Sequence, residues 1–486
     1  MGPSPKLHRT RSSNPDDEPI IRLSCQVQDC SFGKKGSRSL AARYALANEG
    51  EGSFKIDEEQ RYGEIWLGDH QNGPSKSLMT SVHLRTLIEQ SPHIFLTNKI
   101  AERFTGPENS PQLPFLFKVL SFDKALPLQA HSHRSLAEQL QEISANSSDP
   151  PPKPEVVVSL SPRFESFVGF RPIDEIKCFF RDVEEFREVM GEGFPRILDT
   201  KDGLKQIFGE IFKKEKTAIE QFSKKLLGRI QMDGDRALGE MGQRDELGYV
   251  AQKVWKSYPD DPGLFAAVFF MNFVPLKRGE AVAIPSNCYH AYLEGDIIEC
   301  TPNSDGFLDY DFHGSRSTVA DLDCTVKMLS QSPEYSKHSL VPQKPFNKSR
   351  NSHTMKYETP TNEFSLLKIT LDRSEEEFVA IEGPAIYIVT TGEVEISARI
   401  LPERLPTEIS RQTDTPGPKE AVASEGGHVP SLVRRGSECS KTGDEGQREH
   451  LKEGMSVFVK PGYEIGFWNR GGGRAEIHAV YCEIDN

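Results

Sequence analysis

Cysteine is scarce and scattered in this chain. The eight residues, at 25, 30, 178, 288, 300, 324, 439 and 482 of 486, form no Cys-x-x-Cys pair. That excludes a disulfide framework and suits a reducing compartment. Long apolar runs are missing as well: nothing approaches the ~18 consecutive residues a membrane-spanning helix needs. Residues 1–19 carry Lys6, Arg9 and Arg11 among Ser, Pro and Asp, but no apolar stretch follows, so neither secretion nor a membrane span is expected and the cytoplasm is the expected location. Positive charge is in deficit, with 59 Lys and Arg against 72 Asp and Glu and a net charge of -13. A field of that sign repels phosphate backbones and anionic lipid, which excludes nucleic acid and membrane surfaces as partners. A phosphorylated small molecule would need a local cluster of cations or a metal ion to bind.

What is present divides into blocks. The length exceeds what one hydrophobic core supports, so two or three domains are expected. Short β-rich runs bounded by Gly, Pro and Asn, such as Glu64-Ile65-Trp66-Leu67-Gly68 and residues 113–120, fill 20–171. From 172 to 261 the period changes: Leu204, Ile207, Phe208, Ile211 and Phe212, then Ile219, Phe222 and Leu226, form a helical stripe. Strand character returns over 282–298, 366–371, 385–389, 394–396 and 475–484. The expected architecture is mainly β with a helical insertion: two cupin-type (jelly-roll) barrels plus a helical domain. A metal-binding barrel would comprise 20–171 and 262–330, the helical domain 172–261, and a C-terminal barrel 331–486. Residues 403–449, rich in Pro, Gly, Ser, Glu and Arg, read as a disordered insertion that contains a basophilic-kinase-like Arg434-Arg435-Gly436-Ser437. The N-terminal 1–19 reads as disordered too.

A weak internal repeat supports two barrels of one kind. Gly279-Glu280-Ala281-Val282-Ala283-Ile284-Pro285 and Gly454-Met455-Ser456-Val457-Phe458-Val459-Lys460-Pro461 both show a glycine, an alternating strand and a proline turn.

One constellation points to metal. In Gly279, Pro285 and His290 the spacing matches a cupin motif in which a strand and a tight turn aim a histidine into the barrel mouth. Gln129 and His131, two apart on a strand, project from one face and can reach one ion, with His133 as an alternative on that face. Glu155, after the Pro150-to-Pro154 turn, adds a hard oxygen. Two imidazoles, a carboxylate and an amide oxygen suit Zn²⁺ with positions left open for water or substrate; nickel, cobalt and manganese also fit. At the position after Pro461 where a ligand histidine would be expected, Gly462, Tyr463 and Glu464 follow instead, so the second barrel is expected to be metal-free.

Five blocks in order over residues 25–305 carry a family resemblance. They are Tyr62 to His70 with Gly73-Pro74-Ser75; 113–120 with Gln129-Ala130-His131; Lys153-Pro154-Glu155; Gly169-Phe170-Arg171-Pro172; and His290-Ala291-Tyr292 with Gly295-Asp296 and Glu299-Cys300. This chain resembles the type I mannose-6-phosphate isomerases. The resemblance implies one Zn²⁺ per chain on Gln129, His131, Glu155 and His290. It implies an aldose–ketose isomerisation of mannose 6-phosphate and fructose 6-phosphate through an enediol, feeding GDP-mannose and mannosylation. Lys153 and Glu299 match the active-site lysine and glutamate, and Lys118, Tyr292 and Arg316 are candidates for holding the phosphosugar. No oligomeric state is expected from the sequence.

The chain also departs from that pattern. Pro127 stands where the family has a serine, Phe32 replaces a tryptophan, Asp309 stands where the catalytic arginine is expected, and Ser315 stands where a lysine is expected, with Arg316 one residue beyond. A carboxylate in place of an arginine beside a phosphosugar repels it. A divergent relative that keeps zinc and sugar binding but turns over weakly is therefore the alternative expectation.

Overall fold

The computed structural model describes residues 18–49, 54–106, 109–130, 154–303, 340–401 and 448–484, and residues 308–309 as backbone. Of the stretches expected to be disordered, 1–19 and 403–449, all but 18–19 and 448–449 lie outside the described residues, Ser437 with them; Glu449 opens the strand Glu449–Lys452.

The expected helical block is present between β-rich blocks, and its stripe is buried. Gly203–Phe212 turns Leu204, Ile207, Phe208, Ile211 and Phe212 inward, and Lys216–Asp233 buries Ile219 and Leu226. The helices do not stop at 261. Gly263–Phe270 follows, with every residue buried, and runs straight into the strand Met271–Lys277. A helix apolar on all sides has no 3.6-residue stripe to show in sequence. Arg171 holds this block to the β structure. Its guanidinium is buried, donates to Glu175 (3.1 Å), Asp245 (3.3 Å) and the Met271 carbonyl (3.0 Å), and lies over the Phe179 ring. The strand it terminates, Arg163–Phe170, pairs Val168 with His290.

The strands form open antiparallel sheets in facing layers. This matches the expected mainly β, cupin-type architecture with its helical insertion, although among the described residues no sheet closes on itself by hydrogen bonds. A ten-stranded sheet contains Glu64–Leu67, Phe115–Phe122, Gln129–Ala130, Glu155–Ser159 and His290–Pro302. An eight-stranded sheet and a four-stranded one make up the C-terminal part. The two parts are not separable along the chain as expected: Ile20–Ser24 pairs with Ser456–Val459, placing Ile20 opposite Val459. One apolar cluster runs through both, packing Leu23, Ile65, Phe117 and Val156 with Ile386, Phe458 and Val480.

The internal repeat is a structural one. Gly279 and Gly454 have φ of 82° and 86°, a left-handed backbone open to glycine at little cost. Each opens a short strand, Ala281–Ile284 or Ser456–Val459. Each also donates its N–H, at 2.8 Å, to a carbonyl of the neighbouring strand, Gly279 to Ser159 and Gly454 to Val389. The ladders superimpose: Ile284 lies opposite Glu155, and Val459 lies opposite Ala385. Ala385 thus occupies the register position of Glu155, so the second copy has no carboxylate there.

Candidate active site

Three strand ends bring the first group together. The turn after Ile284, with Asn287 at φ 62° and the Cys288 N–H on the Pro285 carbonyl (3.2 Å), delivers His290 as the first residue of its strand. Glu155 opens the strand Glu155–Ser159. Both are buried, and His290 Nε2 lies 3.2 Å from Glu155 Oε2. His290 Nδ1 is 3.1 Å from the Cys288 carbonyl. A carbonyl only accepts, so Nδ1 carries a proton and Nε2 is the nitrogen turned toward Glu155. Burial by itself would push the imidazole pKa down; the hydrogen bond and charge of Glu155 outweigh it and the net shift is upward. Gln129 lies directly across the ladder from His290.

The second group is a row across adjoining strands. Trp66, Lys118 and Glu299 are register partners in sequence across three strands, so their side chains share one face. Lys118 Nζ is 3.3 Å from Glu299 Oε1, 3.6 Å from Glu64 Oε2 and 4.9 Å above the Trp66 ring. Trp66 Nε1 donates to Glu64 (2.6 Å) and His70 meets its ring edge-on. Burial would lower the Lys118 pKa, but Glu64, Glu299 and Glu155 raise it further and keep the ammonium charged.

Tyr292 joins the two groups. Its hydroxyl donates to Glu155 Oε2 (3.2 Å), and burial first, then the charges of Glu155 and Glu299, lift its pKa well above the ordinary tyrosine value. The result is a largely buried cluster of three carboxylates, an imidazole, a phenol and an ammonium. Such a set can bind a divalent cation, hold a polyhydroxylated anion and move protons between neighbouring carbons.

Of the residues singled out in sequence, Gln129, Glu155, His290, Tyr292, Lys118 and Glu299 are therefore brought together. His131, Lys153, Ser315 and Arg316 lie outside the described residues. Asp309 is described by its backbone, which pairs with Gln129. Gln129 thus has His290 on one side and Asp309 on the other. Among the described residues no three His, Cys, Asp or Glu side chains form a metal-holding group, and the donors that converge are His290 and Glu155. Sequence reasoning missed Glu64 and Trp66. The alternation Glu64-Ile65-Trp66-Leu67, with Ile65 and Leu67 buried in the core, held the signal, since Glu64 and Trp66 must then share the other face.

Known proteins match this chain in sequence and in fold. The catalytic domain model of type I phosphomannose isomerase matches residues 20–173, and its helical insertion domain model matches 183–271. Mannose-6-phosphate isomerase of Candida albicans is 32% identical over 398 residues, covering 77% of this chain and 88% of the relative. The Homo sapiens mannose-6-phosphate isomerase is 31% identical over 389 residues, with 77% and 88% covered. Two solved structures share the fold, each with a TM-score of 0.69, 21% identity, and 96% of this chain and all of theirs covered. One is the apo form of mannose 6-phosphate isomerase from Salmonella typhimurium, the other a mannose 6-phosphate isomerase bound with zinc and yttrium. With family models matching residues 20–173 and 183–271 and relatives spanned over most of their length, the chain belongs to the type I phosphomannose isomerase family.

Proposed function

We propose that the chain is a zinc-dependent isomerase interconverting mannose 6-phosphate and fructose 6-phosphate in the cytoplasm, supplying GDP-mannose synthesis and mannosylation. The observation that carries this is the convergence of His290 and Glu155 at 3.2 Å beside the Lys118–Glu299 pair. Two buried groups, with Nε2 of the imidazole turned to the carboxylate, fit one side of a divalent-cation site once Nε2 gives up its proton. Gln129, in register beside His290, and His131 would complete it, with one ion per chain. Zinc held there supplies a Lewis acid that polarises the sugar's carbonyl and hydroxyl oxygens.

The chain's own residues do the rest. In the aldose-to-ketose direction a proton leaves C2 and one is delivered to C1, while a hydroxyl proton passes from O2 to O1. Glu299, buried and ion-paired to Lys118, would take and return the carbon-bound proton, with Lys153 as its partner. Lys118 and Arg316 offer positive charge to the phosphosugar, which the acidic background does not. Tyr292 fixes the orientation of Glu155.

A second reading is favoured by one feature. Position 309, an aspartate, pairs with Gln129 inside the site's own ladder, and a divergent relative that binds zinc and sugar but turns over weakly follows from that charge. A coupled assay for mannose 6-phosphate isomerisation, on metal-stripped and zinc-loaded protein, tests both. Zinc-restored turnover supports the isomerase; zinc and sugar binding without turnover supports the divergent relative.

A further inference from the structure

Asp69 belongs to neither group described above, yet it is fully buried at the end where the strands carrying Trp66, Lys118 and Glu299 run out. Its Oδ2 accepts the Leu113 N–H (3.0 Å) and its Oδ1 accepts Asn303 Nδ2 (2.9 Å). The same Nδ2 donates to the Leu113 carbonyl (3.1 Å), which closes a ring of three hydrogen bonds and uses both amide hydrogens of Asn303. The Asn303 backbone is fixed too, its N–H on the Pro114 carbonyl (3.2 Å) and its carbonyl accepting from Gln112 Nε2 (3.4 Å).

The location gives the ring its consequence. Leu113 leads into the strand bearing Lys118. Asn303 is the first residue after the strand His290–Pro302, and from there the chain travels to Leu308–Asp309, which pairs with Ala130 and Gln129. A freely pivoting exit from that strand would leave position 309 with many placements. An exit held by a buried carboxylate has few, because breaking hydrogen bonds to a desolvated acceptor is costly. Arg85, from the helix Leu84–Gln90, is the cation whose charge Asp69 feels.

We propose that Asp69 is a positioning residue: through Asn303 it fixes where the chain leaves the His290–Pro302 strand, and so sets position 309 against Gln129. The consequence for turnover rests on the isomerase reading; the positioning itself does not.

Two measurements on the full-length protein test this. Backbone amide exchange is followed at Leu308–Asp309, with the strand Ser365–Leu371 as control, in wild type, Asp69→Ala, Asn303→Ala and the double variant. Each single variant should speed exchange at 308–309 about tenfold or more and leave the control unchanged. The double variant should be no faster than the faster single, since both remove one contact. Asp69→Asn, which keeps one acceptor oxygen, should fall between wild type and Asp69→Ala. Unchanged exchange at 308–309 in Asn303→Ala, or equal acceleration in the control strand, overturns the proposal. Asn303 is half-buried, so its variant carries the test alone if Asp69→Ala does not fold. The second measurement is kcat and KM for mannose 6-phosphate in the same variants. A drop in kcat/KM in step with the exchange is expected, because loss of the backbone pairing frees Gln129 beside His290, an effect separate from the charge of the Asp309 side chain. A wild type without isomerase activity but with the expected exchange overturns the isomerase reading and leaves the positioning role standing.

Discussion

The imidazole of His290 faces the carboxylate of Glu155 at 3.2 Å, and the far side of the ring is fastened to the Cys288 carbonyl. This is a histidine whose tautomer and aim are set before any ligand arrives. If it binds the divalent ion, metal analysis of purified protein should give about one equivalent, as expected for a single structural or catalytic zinc. His290→Ala and Glu155→Ala should each lower affinity by more than the ~10–100-fold that loss of an outer partner costs. Equal metal content in wild type and both variants would remove the assignment.

Among the described residues, Lys118 is the one ammonium between Glu64 and Glu299. Lys118→Met leaves two carboxylates facing each other in a dry cluster, and removal of one partner from a buried ion pair costs about 3–5 kcal/mol. Urea unfolding should show a loss of that size. Adding Glu299→Gln should recover part of it, a coupling that independent sites would not show. A change below ~0.5 kcal/mol in Lys118→Met, the range of ordinary surface substitutions, would mean the pair is solvated in solution.

The two halves of the repeat should respond differently to one substitution. A Cβ on Gly279 would come no closer than 3.2 Å to the flexible end of Lys368, whereas on Gly454 it would lie 2.8 Å from Tyr44 Cδ1 and 3.0 Å from the Tyr44 Cα. Both variants to alanine incur the left-handed backbone cost of about 1–2 kcal/mol. Gly454→Ala adds a clash with a buried helix, so its melting temperature should fall further. The reverse order would show that the Gly454 turn relaxes.

How much of this was legible in sequence follows from the range of each interaction. The helical stripe from Leu204 to Phe212 is local, and it was read correctly. Gly263–Phe270 was missed because its apolar residues surround the helix. His290 and Glu155 were legible because a turn motif and a ligand-type residue sit together in sequence. The adjacency of Trp66, Lys118 and Glu299 depends on strand register across distant segments, which no local pattern encodes. The same holds for Ile20–Ser24, whose apolar alternation shows a strand but not that its partner is Ser456–Val459. Asp69 carries no signal of its own, since its partners are a backbone N–H and an asparagine 234 residues away.

Asp69 also makes a pH prediction. Burial pushes its carboxyl up to about 7, against the opposing effect of its hydrogen bonds and Arg85. An acid whose pKa is higher in the folded chain than in the unfolded one stabilises the fold below the unfolded value, near 4. That contribution is lost as pH rises through the folded value, here about 7. Compared with Asp69→Asn, which does not titrate, wild-type stability should fall with pH between about 4 and 7, by at most about 1.4 kcal/mol per pH unit, and level off above. Parallel stability profiles for the two proteins would show that Asp69 stays ionised throughout.

The last prediction concerns Asp309. Its backbone lies across from Gln129, which lies across from His290, so the substitution seen in sequence falls on the site's own ladder and not on a remote loop. A cation there would stabilise negative charge developing on the enediol oxygens, and loss of one such donor commonly costs about 10²-fold or more in rate. A carboxylate adds repulsion toward a substrate carrying nearly two negative charges. The penalty should therefore appear in both binding and turnover. With each protein loaded with zinc, kcat/KM for mannose 6-phosphate should rise from wild type to Asp309→Ala to Asp309→Arg. The first step reports relief of repulsion and the second the gained donor. Salt should raise the wild-type KM-limited rate more than that of Asp309→Ala, since screening acts only where the repulsion exists. A wild type that is already fast and slows in Asp309→Arg would mean that the positive charge comes from elsewhere, with Arg316→Ala the next variant to measure.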